Sequence, residues 1–186
     1  MTLTPSNMLP LHTSAPEFSL INTVDGATIT LNSFARNKPV MIAFICNHCP
    51  YVVHLIDPFT QLANEYQEKG IATVAISAND IATHPDDAPD KMQQLAREKG
   101  FSFPYCYDET QAVAQSYQAA CTPDFYLFND QHQLVYRGRF DASKPNSGIA
   151  ATGDDLRQAL DALLNNQPID ANQIASMGCN IKWKQT

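Results

Sequence analysis

The chain has 186 residues, 44% of them hydrophobic and 17% charged, with 12 Lys and Arg against 19 Asp and Glu and a net charge of -7. This supports one folded domain with a sizeable core and argues against global disorder. With no basic cluster for nucleic acid, no apolar run near the roughly 18 residues of a membrane helix and no signal-peptide pattern before Pro16, the expectation is a soluble, cytoplasmic protein that partners neither nucleic acid nor membrane.

Residues 1–16 hold three prolines and little periodicity, and read as an arm. Glu17–Leu20 and Thr28–Leu31 alternate around Asp25-Gly26, the pattern of a β-hairpin. Val40–Ile45 is continuously apolar, as in a strand buried on both faces. A helix is predicted over residues 47–69, with Phe59, Leu62, Ala63 and Tyr66 at helical spacing and Gly70 closing it. Asp57-Pro58 inside it marks either a kink or a restart with Asp57 as N-cap.

Ile71–Ser77 is the next strand. Asn79–Ala88 reads as a polar loop, followed by a helix through Met92, Leu95 and Ala96 that ends at Gly100. Pro104–Tyr107 is short and extended. Asp108, with Gln111 three residues later, has the spacing of a capping box. Asp124–Phe128 and Leu134–Phe140 are strands joined by a turn over Asn129–His132. Thr152, with Asp155 three residues on, opens a last helix along Leu156, Leu160, Leu163 and Leu164. Residues 166–186 form a tail in which Ile181 and Trp183, the single tryptophan, call for burial against the domain. No repeat or second core is visible, so residues 1–186 are expected to form a single α/β domain.

The chemistry concentrates at Cys46-Asn47-His48-Cys49-Pro50, directly after the apolar strand. Two cysteines at this spacing can close a disulfide across one helical turn. Where a strand gives way to a helix, the first cysteine meets the helix N-terminus, whose partial positive charge and unpaired N–H groups favour a thiolate. Cys46 is therefore expected at the N-cap as the nucleophile, and Cys49 as the more buried resolving thiol. Five cysteines is an odd, sparse count, which favours reactive thiols over structural bridges in a reducing compartment.

The order hairpin, strand, Cys-x-x-Cys on a helix, strand, inserted helix, Thr122-Pro123, hairpin and final helix resembles the thioredoxin-like fold, a central mixed sheet flanked by helices. With Ala15-Pro16-Glu17-Phe18-Ser19-Leu20 as its opening, the chain more narrowly resembles the redoxin branch of AhpC/TSA type over residues 14–165. That resemblance implies a thiol-disulfide oxidoreductase acting on protein or small-molecule disulfides and thiols, recycled by a thiol reductant and needing no cofactor. It also implies that Thr122-Pro123 is a cis-proline segment facing the cysteines and offering backbone groups to substrate.

Asn47-His48 occupies the position of the tuning dipeptide. Thioredoxin has Gly-Pro there and the strongly oxidising periplasmic enzymes have Pro-His. A partly protonated His48 beside Cys46 would favour its thiolate and give a less reducing pair than thioredoxin's. The buried acid that thioredoxin carries on the strand before its cysteines is replaced by Val40, leaving water or an acid from elsewhere, such as Asp124, to move protons. Cys121 and Cys179 are possible third redox thiols, each with an ordinary structural role as the alternative. Cys106 reads as core and His54 as a packing residue.

Two further functions compete. A thiol-dependent peroxidase would need Thr or Ser three residues before its cysteine. Ala43 stands there for Cys46, and Cys46 itself stands there for Cys49. A copper-handling protein could use Cys46, Cys49 and a distal histidine such as His132, although such proteins usually space their cysteines three apart. No zinc set is visible.

Overall fold

The computed structural model describes residues 2–34 and 38–185. A seven-stranded mixed sheet is built from β2 (Ser19–Asn22), β3 (Thr28–Thr30), β4 (Val40–Phe44), β5 (Ala72–Ser77), β6 (Tyr105–Tyr107), β8 (Asp124–Phe128) and β9 (Leu134–Gly138), in the order β3-β2-β6-β5-β4-β8-β9. β4 pairs in parallel with β5 and antiparallel with β8, so it lies in the interior of the sheet. All five of its residues are buried, as expected for a strand covered on both faces.

Alternate residues feed two apolar layers. Met41, Ala43, Ile45, Ala75, Tyr105, Phe125 and Leu127 pack under helices α1 (Pro50–Glu68), α2 (Pro89–Lys99) and α4 (Asp154–Leu164). Val40, Ile42, Phe44, Val74, Ile76, Tyr126 and Phe128 pack on the other side against the short helix α3 (Ala112–Ser116), the hairpin residues Phe18 and Leu20, and Ile181. This is the thioredoxin-like arrangement expected from the resemblance. No helix among the described residues is long and apolar enough to cross a membrane.

Several local expectations are corrected. α1 begins at Pro50, not at residue 47, because Pro50 at N1 supplies a preset φ and needs no N–H partner. Cys49, not Cys46, is therefore its N-cap. The helix runs through Pro58 without restarting, and Asp57 pairs with Lys99 at 2.7 Å. Asp108 does not open a capping box. It is buried and its Oδ2 accepts the Ala114 N–H at 2.8 Å, while Gln111 sits at the N-cap of α3 with φ +63°.

The last helix starts after Gly153, not at Thr152, because Asp141 accepts the N–H groups of both residues at 2.7 Å. The partner strand expected through Phe140 stops at Gly138. Trp183 is 41% exposed, so the demand for burial in the tail is met by Ile181 at 1%.

The two ends of the chain form a second, three-stranded sheet. β10 (Met177–Asn180) lies between β1 (Leu3–Pro5), within the segment expected to be an arm, and β7 (Cys121–Thr122), antiparallel to both. Gly178 is required for this approach. A Cβ built there would lie 2.0 Å from the Thr122 carbonyl oxygen.

Candidate active site

The segment after β4 turns through Cys46, Asn47 and His48 before Cys49 caps α1. The Thr122-Pro123 bond opposite it is cis. Thr122 contacts both cysteines: its Oγ1 is 3.3 Å from Cys46 Sγ, and its carbonyl oxygen is 3.2 Å from Cys49 Sγ. The structure thus brings Cys46, Cys49, Thr122 and Pro123 together. Both sulfurs are shielded, with Cys46 only 1% exposed and Cys49 0%, so a reacting disulfide reaches them only after movement of their cover.

The two thiols differ sharply in proton affinity. The hydrogen bond with Cys49, then burial, then the charge of Asp87 push Cys46 well above its ordinary range, against a smaller opposing contribution from Thr122. Cys49 is drawn down to about 5, first by the hydrogen bond from Cys46 and then, against burial, by the Cys179 thiol and the N–H groups of Val52 and Cys179. Val52 is the third residue of α1, so its N–H is one of the unpaired donors that an N-cap residue normally satisfies. The Thr122 carbonyl is the acceptor available when Cys49 is protonated. These donors draw the proton affinity of Cys49 below that of Cys46, the reverse of the order expected at a helix N-cap on Cys46.

Asn47 and His48 are fixed by Asp87, from the segment expected to be a polar loop. Asp87 is fully buried, and its Oδ1 accepts the Asn47 N–H at 2.7 Å. Its Oδ2 accepts from Asn79 Nδ2 at 2.8 Å and lies 2.6 Å from His48 Nδ1. Asn47 also donates from Nδ2 to the Asp86 carbonyl and accepts from the Tyr105 hydroxyl at 3.1 Å. His48 stacks on His84 with ring centres 5.1 Å apart.

The imidazole is therefore matched to a carboxylate, and the charge acting on Cys46 is that of Asp87, which opposes its thiolate. His48 still lies beside Cys46, with ligand atoms of Cys46, His48 and Asp87 within 4.8 Å of one another. The one sequence signal for Asp87 is Asp86-Asp87 just before the proline that starts α2, a pattern shared by many surface turns.

The other candidates separate by face. Cys179 lies directly opposite Thr122 in the β10–β7 pair, and Cys121 opposite Asn180. Opposed residues share a face and neighbours alternate. Cys179 therefore faces the dithiol, and its thiol exchanges a hydrogen bond with Cys49. Burial and that bond push Cys179 up to about 12. Cys121 points the other way, with its sulfur 3.8 Å from the Pro123 carbonyl oxygen, and burial holds it protonated. Cys106 lies in the other apolar layer and is pushed up to about 12 by burial.

Asp124 is fully buried, which removes a surface role. It accepts from Ser6 Oγ at 3.0 Å and the Tyr126 hydroxyl at 2.9 Å, and burial raises it to about 7. His54 contacts Ser143 Oγ at 2.9 Å. His132 lies in the β8–β9 turn, at the opposite end of β8 from Pro123, so it cannot join Cys46 and Cys49 as a metal ligand. Among the described residues, Cys46, His48 and Asp87 are the group close enough to share a cation, with ligand atoms within 4.8 Å of one another. Both Asp87 oxygens are already engaged there.

The AhpC/TSA family model matches residues 11–137, more than half of the chain. The chain belongs to the AhpC/TSA family. Among solved structures, this family member is similar to an uncharacterized conserved protein from Geobacillus kaustophilus, at 48% identity and a TM-score of 0.97, covering 100% of this chain and 98% of that one. It is also similar to a hypothetical protein from Sinorhizobium meliloti 1021, at 39% identity and a TM-score of 0.95, covering 98% of this chain and 100% of that one. The thiol-disulfide oxidoreductase ResA of Halalkalibacterium halodurans is 25% identical over 116 residues, 62% of this chain and 61% of that protein. The chain thus spans less than two thirds of that curated relative.

Proposed function

We propose that this protein is a thiol-disulfide oxidoreductase whose working couple is Cys46 and Cys49, exchanging with protein or small-molecule disulfides and reset by a thiol reductant. The observation that carries the reading is two cysteine sulfurs at a strand-to-helix junction that both contact Thr122, beside its cis peptide bond to Pro123, with their proton affinities driven apart. Exchange needs one thiolate poised to attack and one sulfur poised to leave or be resolved. The oxidoreductase name of the ResA relative supports the same reaction class.

In the reduced pair the Cys49 thiolate is the charge held ready. Cys46 begins the turn that continues through half-buried Asn47 and His48, and its Sγ meets the Thr122 hydroxyl beside the cis-proline. Transfer of the Cys46 proton to Cys49 lets Cys46 attack the substrate disulfide, whose far sulfur leaves as a thiolate and takes that proton from Cys49. The Cys49 thiolate then bonds to Cys46 Sγ as the mixed disulfide breaks, and the remaining substrate thiolate takes a proton from water.

Family membership keeps peroxide reduction as the alternative. Ala43, where a peroxidase would need Thr or Ser, is a buried strand residue, and the charge of Asp87 acts against a thiolate on Cys46.

Turnover of a mixed glutathione disulfide, followed beside hydrogen peroxide consumption, separates the two. The expected result is disulfide turnover that disappears in both Cys46→Ser and Cys49→Ser, with slow peroxide consumption. Peroxide consumption that outpaces disulfide exchange and survives in Cys49→Ser would replace this reading with the peroxidase.

A further inference from the structure

We propose that Cys179 is a third redox thiol, which exchanges with the Cys46–Cys49 disulfide at the Cys49 sulfur. This rests on the reading of Cys46 and Cys49 as a redox couple, and it extends that couple into the C-terminal strand.

Cys49 lies between two thiols. Its proton affinity is lowered by the Cys46 thiol on one side and by the Cys179 thiol on the other. The second contact is built into the fold. The antiparallel register sets Cys179 opposite Thr122, the residue whose hydroxyl and carbonyl contact both members of the couple. Gly178 lets β10 approach closely, and Asn180 and Ile181 fasten the strand on through N–H bonds to the Thr2 and Ala120 carbonyls at 3.0 and 3.1 Å.

Cys179 is 3% exposed, so Cys49 is a more accessible reaction partner for it than anything in solution. Sulfurs in hydrogen-bond contact need only side-chain rotation and small backbone adjustment to reach the disulfide separation of about 2.05 Å.

The step is internally balanced. Cys179 Sγ bonds to Cys49 Sγ as the Cys49–Cys46 bond breaks, and that electron pair leaves on Cys46 Sγ. The proton given up by Cys179 ends on Cys46. One disulfide is consumed and one is formed, so no external oxidant or reductant enters. Cys46 and Cys179 are both buried, and burial disfavours a free thiolate on either, so the exchange moves one proton and leaves no charge in the interior. The product has a free Cys46 thiol and a tail covalently stapled to the start of α1.

Trapping Cys46 in the oxidised full-length protein tests this. Wild type is first oxidised to the Cys46–Cys49 disulfide, then held with iodoacetamide, acid-quenched and mapped by peptide mass. The expected product carries alkylated Cys46 with an intact Cys49–Cys179 bond, and this product is lost in Cys179→Ser.

As a check that does not depend on trapping, Cys46→Ser, or Cys46→Ala if the serine variant misfolds, is oxidised with diamide. It should form Cys49–Cys179. If folded Cys46 variants form no such bond, or if Cys46 labels equally in Cys179→Ser, the relay is overturned while the couple stands. If wild type never forms Cys46–Cys49, the functional reading itself fails.

Discussion

At the scale of single residues, Asp87 and the N-cap position of Cys49 add to an asymmetry that begins with the interaction between the two thiols. Asp87 holds the Asn47 N–H and the His48 ring, and its charge opposes the Cys46 thiolate. Asp87→Asn should move the pH profile of Cys46 alkylation downward, by about one unit or tenfold in rate at a fixed pH. An unchanged or upward-shifted profile would mean that Asp87 does not act on that sulfur.

Asp124 gives a second residue-level outcome with the sign fixed by burial. Its folded value of about 7 lies above the ordinary carboxylate value of about 3.9. The stability it contributes is therefore present below pH 4 and lost as the pH rises toward 7. Asp124→Asn keeps an acceptor for Ser6 and Tyr126 without the charge. It should melt higher than wild type above pH 7, by about 2–4 °C per kcal/mol gained, with the advantage vanishing near pH 4. Parallel melting curves across pH 4–8 would contradict that.

At the scale of elements, the legible parts were those whose pattern is local. Val40–Phe44 and Ala72–Ser77 are unbroken apolar runs, and α1 and α4 show helical spacing, so the central sheet and its helices could be read from the chain. The start of α1 was misplaced because Pro50, as a preferred first helical residue, outweighs the simple expectation that the helix begins beside Cys46.

The small sheet of β1, β10 and β7 was not legible. Its strands have two to four residues, and Leu3 pairs with Cys179 across nearly the whole chain, so nothing local signals the pairing. Asp87 was missed for the same reason, since its meaning comes from what folds over it.

Gly178→Ala tests the docking of β10. A Cβ 2.0 Å from the Thr122 oxygen forces the strand away, at a cost of about 1–3 kcal/mol. Amide exchange should speed up across residues 177–181 and alkylation of Cys49 should rise. Unchanged protection in that strand would show that the close approach is not needed.

At the scale of the whole molecule, the two apolar layers hold the sheet rigid while both chain ends close over the edge that carries the cis-proline. The reactive pair is consequently built into the core, and its charge state is linked to folding. The reduced protein holds Cys49 near 5, below the value of about 8.5 for a free thiol. That contribution to stability is complete above about pH 8.5 and is lost as the pH falls through 5. Relative to Cys49→Ser, reduced wild type should therefore lose stability from pH 8 to pH 5. The opposite trend would put the thiolate on another sulfur.

The same stabilised thiolate favours the reduced form and so sets the redox poise. A redox titration of the full chain with disulfide mapping tests the central claim most directly. The account predicts one two-electron transition, accompanied by a Cys46–Cys49 bond, at a potential less negative than the about −270 mV of thioredoxin. Failure to form that bond at any potential, in protein that remains folded, would contradict it.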